Sequence, residues 1–195
     1  MMAAAELTSR RIDSDYYVEG MAAKYEKYPL YDFGDGDIIY ERFEPGCFSG
    51  TDMSDVIMQY DHSGKVFARM SNGTLIVEPN DEGLFIAADL SKTEGAKDLY
   101  GDISAGMITK MSWAFLPGTR GEDWDFDDAD SCIVHRKVKK IFDVSAVSLP
   151  ANNDTSIYTR GAGGADGVIG KAAEEFRTAQ LMVRRRRLEL LTQLI

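Results

Sequence analysis

Lys110-Met111-Ser112-Trp113-Ala114-Phe115-Leu116 alternates large apolar residues with small or polar ones at a period of two, the period of an extended strand with one face in a core. Met111, Trp113 and Phe115 fall on one face, and Ser112, Ala114 and Leu116 on the other. The bulky face packs inward, while the other leaves room beside a hydroxyl for the backbone of a substrate. Outward from this run, further short stretches at 17–22, 38–43, 56–60, 65–70, 74–78, 84–90 and 139–149 are rich in β-branched or aromatic residues and bounded by Gly, Asn, Asp or Pro. The pattern predicts seven or eight short strands in a barrel or sandwich. One helix interrupts them. Ser91-Lys92-Thr93-Glu94 has the spacing of a capping box, and Leu99, Ile103 and Met107 follow at four-residue intervals, which predicts a helix over about 92–109.

Composition sets the outer limits. The chain has 195 residues, 44% hydrophobic and 28% charged, enough for one sizeable core and unlike a disordered chain. Against 22 Lys and Arg stand 32 Asp and Glu, a net charge of −10, which repels a phosphate backbone, so nucleic acid is not expected as a partner. Two cysteines, Cys47 and Cys132, are too few for a disulfide framework and suit a reducing compartment. Arg10 and Arg11 follow the short apolar opening instead of preceding it, the reverse of a secretory signal. No apolar run approaches a membrane span, and a cytosolic location is expected.

The excess of acid belongs to the first 160 residues, because 161–195 hold six basic and four acidic side chains. Five of the ten residues in 161–170 are glycine, the composition of a flexible linker. Residues 171–195 lack Gly and Pro, place Phe176, Val183, Leu190 and Leu194 near helical spacing, and contain four consecutive arginines at Arg184–Arg187. The expected organisation is a flexible N-terminus over 1–14, a domain over 15–160, a Gly-rich linker over 161–170 and a basic C-terminal helix over 171–195.

The chain has only two histidines to serve as a base near neutral pH. His62, in Tyr60-Asp61-His62-Ser63-Gly64, sits where a strand end meets a glycine turn, a place that can aim a side chain into a cleft or simply hold an ordinary polar turn residue. His135 has Arg136 and Lys137 beside it and is expected at the surface. Asp143 stands at the head of a strongly β-prone stretch, where a carboxylate needs a partner that a histidine could supply. The acidic run 122–130 lacks the glycine and glutamate of a calcium loop and reads as a solvated loop. Cys132 and His135 are too few for a zinc site, and an edge-like Cys132 is a weak candidate for a cysteine hydrolase. The nine methionines read as core filler.

Taken in order, the His62 turn, Asn72–Glu78, Glu82–Ala88, the Asp98-Leu99 helix, Met111–Phe115 and Asp143–Asn152 resemble the prohead maturation proteases of tailed bacteriophages. Val18–Ala23 and Glu41–Phe48 extend the likeness over about 15–160. These proteases are similar to the herpesvirus assembly protease. The resemblance implies an α+β, mainly β fold: a closed antiparallel β-barrel of about six to eight short strands with surrounding helices. It implies a serine endopeptidase with Ser112 as nucleophile, His62 as base and Asp143 as orienting residue, where phage members usually carry the longer glutamate. By position, the backbone N–H groups of Ala151 and Asn152 are its oxyanion-hole candidates. It further implies no metal or organic cofactor, while the net charge and the lack of a long apolar run argue against a nucleic-acid or membrane partner. The expected substrates are the major capsid protein, the scaffold precursor and the chain itself, through self-association and autocleavage inside the assembling prohead in the host cytoplasm. The alternative from another class is a non-catalytic capsid-assembly module that keeps the barrel to bind scaffold.

Overall fold

The computed structural model describes residues 11–33, 36–150 and 152–159. The expected linker, the basic helix and most of the expected N-terminal segment therefore lie outside the described residues. Twelve strands run in chain order: β1 (Tyr17–Lys24), β2 (Tyr28–Asp32), β3 (Ile38–Phe43), β4 (Ile57–Tyr60), β5 (Ser63–Arg69), β6 (Leu75–Pro79), β7 (Gly83–Asp89), β8 (Lys110–Pro117), β9 (Trp124–Asp127), β10 (Cys132–His135), β11 (Val138–Val147) and β12 (Ser156–Thr159). One helix, α1 (Glu94–Ser104), lies between β7 and β8.

The strands form three four-stranded sheets, ordered β12-β1-β7-β6, β2-β3-β10-β9 and β5-β4-β11-β8. This corrects the expected closed antiparallel barrel of six to eight strands with several helices. Among the described residues each sheet is open, with two edge strands, and only one α-helix is present. Nor is the pairing wholly antiparallel, since β10 runs parallel to β3 and β11 parallel to β4. Fully buried Phe43, Met58, Leu84, Ile86 and Met111, drawn from all three sheets, share one hydrophobic core.

Local expectations shift in instructive ways. The helix begins later than the capping-box spacing suggests, with Thr93 as its cap: the Thr93 hydroxyl accepts the Ala96 N–H at 3.2 Å. Leu99 and Ile103 bury, but Met107 lies beyond the helix and is 76% exposed. The acidic run contains β9, which pairs with β10 and so places Cys132 inside a sheet instead of at its edge. Asp143 stands within β11 and not at its start, and this strand lies between β4 and β8, buried from Asp143 to Val147.

Candidate active site

The site is built on the β5-β4-β11-β8 sheet. In the antiparallel β8–β11 pair, Ser112 lies opposite Ser145 and Ala114 opposite Asp143. Directly opposed residues share a face, so Ser112, Ser145 and Asp143 project from the same side. Alternation sends Met111 and Val144 to the other side, where both are fully buried. Ser112 is partly exposed and Ser145 completely buried.

His62 reaches this face from the β4–β5 hairpin. Tyr60 pairs with Ser63, leaving Asp61 and His62 as a two-residue loop with φ of 48° and 55°. Two consecutive left-handed residues are the requirement of the tight hairpin turn that matches strand twist, a conformation Asp and His tolerate better than most side chains. The tip is tied down at the far end of β11. The Asp61 N–H donates to the Ala146 carbonyl at 3.0 Å, the Ser148 N–H donates to Asp61 Oδ1 at 3.0 Å, and Tyr60 and Ser148 share a hydroxyl–hydroxyl bond. Asp61, adjacent to His62 in sequence, is thus a tether to Ser148.

With the tip held there, His62 Nδ1 comes to 2.7 Å from Asp143 Oδ1. Asp143 is buried, and about a third of the His62 side chain is exposed. The same Oδ1 also accepts the Ser145 hydroxyl at 2.7 Å. The hydrogen bond to Asp143 raises the His62 pKa above its ordinary 6.5; burial opposes the shift, and the charges of Asp143 and Asp61 add to it. Among the described residues no hydrogen bond joins Ser112 Oγ to His62.

The chain after β11 is clipped beside Ser112. Thr155 Oγ1 accepts the Met111 N–H at 3.1 Å and lies 2.6 Å from the Met111 carbonyl and 3.0 Å from that of Asn152. Lys110 Nζ donates to the Asn153 carbonyl at 2.6 Å. These contacts bring Asn152 to a cavity of about 250 Å³ that Ser112 also lines. Asn152 Oδ1 accepts the Asp154 N–H at 2.8 Å, while among the described residues its buried Nδ2 has no partner. Ala151 lies outside the described residues.

A model of the caudovirus prohead serine protease family matches residues 5–165. The chain belongs to this family. No curated protein matches the chain. Membership places it among serine peptidases of the assembling phage capsid, in association with capsid proteins inside the host cell. No helix among the described residues is long and apolar enough to cross a membrane. No group of three or more His, Cys, Asp or Glu among them could hold a metal ion.

Two features of this prohead protease escaped the sequence reading. Ser145 is two residues from Asp143 on the same strand, so a period-of-two reading of β11 would have placed both on one face. His135, expected at the surface, is buried, stacks on Phe43 at 4.6 Å and bonds Glu41 at 2.9 Å. Its basic neighbours Arg136 and Lys137 are exposed, and no local pattern distinguishes its environment from theirs. Cys132 is also buried, which raises its thiol pKa, the reverse of what an activated nucleophile needs.

Proposed function

We propose that this prohead protease cuts the major capsid protein, the scaffold precursor and its own chain, with Ser112 as nucleophile, His62 as general base and Asp143 as the group that orients His62. The observation that carries this reading is the His62–Asp143 bond on the face that Ser112 shares. A neutral His62 that donates from Nδ1 to Asp143 keeps the lone pair on Nε2. As Ser112 Oγ attacks the scissile carbonyl carbon, its proton passes to Nε2. Asp143 stabilises the imidazolium without taking the proton. Collapse of the tetrahedral intermediate breaks the C–N bond and returns that proton to the leaving amine, and water then repeats the sequence on the acyl-enzyme. The oxyanion needs fixed donors, and the Asn152 N–H and Nδ2 are the candidates beside Ser112.

Ser145 is a rival hydroxyl on this face, bonded to Asp143, and its complete burial argues against contact with a substrate. The assembly-module reading draws on the missing Ser112–His62 bond, although such bonds are often long before substrate arrives. Co-expression of the full chain with the capsid precursor, followed by mass spectrometry of new termini, decides between them. Cleavage lost in Ser112→Ala supports the peptidase; an unprocessed precursor with the native chain supports the module.

A further inference from the structure

The cavity that Ser112 lines is bordered by β8, an edge strand of its sheet. Besides Trp113 and Phe115, its lining includes Tyr28 and Leu30 of β2 and Glu41 of β3. Glu41 is more than nine-tenths buried. Its Oε1 accepts His135 Nε2–H at 2.9 Å, and its Oε2 accepts the Tyr28 hydroxyl. Among the described residues His135 Nδ1 is buried with no partner. Among the described residues no Lys or Arg pairs with Glu41. Its carboxylate is therefore held in position by two donors, neither of them Lys or Arg.

The network also ties β2, β3 and β10 together, and that alone would explain a buried polar cluster. It does not explain why the cluster's one carboxylate lines the cavity next to Ser112. Trp113, Phe115, Tyr28 and Leu30 offer apolar and aromatic walls for an alkyl stem, and aromatic faces also attract a cation. We infer that this cavity receives the side chain of the residue whose carbonyl Ser112 attacks, and that Glu41 makes it select a basic residue, Lys or Arg. The inference rests on the reading of Ser112 as nucleophile. It also bears on self-cleavage, because Arg160 and Lys171 flank the Gly-rich segment and Arg184–Arg187 lie beyond it.

The test uses the full chain and two peptidyl diphenyl phosphonates that differ only in carrying a lysine or a norleucine side chain at the phosphorus. In each, a serine oxygen displaces phenoxide from phosphorus, and the adduct is located by mass spectrometry. The lysine probe is expected to modify Ser112 on the order of tenfold faster, and Glu41→Gln to bring the two rates together. Should that variant fail to fold, an Nε-acetyl-lysine probe, long but uncharged, serves on the native chain and is expected to react as slowly as norleucine. Equal rates for lysine and norleucine at Ser112 would leave the nucleophile in place and overturn the specificity. Modification of Ser112 by neither probe would overturn both.

Discussion

His62 Nδ1 and Asp143 Oδ1 meet at 2.7 Å across 81 residues of chain. The short aspartate reaches because Asp61 fastens the hairpin tip to Ser148 and the end of β11, so the imidazole lies over the sheet. A longer carboxylate is not needed at this position.

Asp143→Asn should therefore lower kcat by about three to four orders of magnitude with little change in KM, because an amide facing Nδ1 favours the wrong imidazole tautomer. Asp143→Glu should fold but lose about tenfold, since its extra methylene must be accommodated between His62 and Ser145. Steady-state kinetics on a cleavable peptide measures both, and an Asn variant with native kcat would remove Asp143 from the mechanism.

The pH dependence follows from the raised pKa of His62. General base catalysis needs the neutral ring, so the acid limb of kcat/KM should lie above 6.5, the group's ordinary value. Stability should run the other way. A pKa higher in the folded than in the unfolded state means that protonated His62 stabilises the fold; its contribution is full below 6.5 and is lost as pH rises through the folded value. Kinetic and urea-denaturation profiles of native protein and Asp143→Asn would show the two trends, with the limb shifted to lower pH in the variant.

Ser145→Ala removes one of the two donors on Asp143 Oδ1. The hydrogen bond from His62 is then the one that remains on this oxygen, so the acid limb should move to higher pH. A buried bond to a charged group is also lost, at about 1.5 to 3 kcal/mol of stability. A limb that stays in place while stability falls would give Ser145 a purely structural role.

Alternation made the strand of Ser112 legible, and β-branched and aromatic content made the strand of Asp143 legible. The hairpin tip was less so: no Gly stands at Asp61 or His62, yet both adopt the positive φ that the two-residue turn requires. Strand β2 contains Pro29, β9 lies in a run of acids and β12 is four residues long, so none gives a strong local signal. Barrel closure could not be read from strand count, since the parallel β3–β10 and β4–β11 pairs join segments far apart in sequence. His135 was misread for the same reason: its stack on Phe43 and its bond to Glu41 are tertiary.

His135→Ala is accordingly expected to destabilise the fold by about 2 to 4 kcal/mol, through a lost ring stack and a buried Glu41 with one partner fewer. Urea denaturation checks this; a change below about 0.5 kcal/mol, the scale of a surface substitution, would contradict the burial of the network.

The central claim is that Ser112 and His62 act together on one face of the β8–β11 pair. A fluorophosphonate probe applied to the purified full chain, with the modified residue identified by mass spectrometry, tests it most directly. The account predicts an adduct on Ser112 that is lost in Ser112→Ala and in His62→Ala while both variants remain folded. An adduct on Cys132 or Ser145, or labelling of Ser112 that persists without His62, would contradict it.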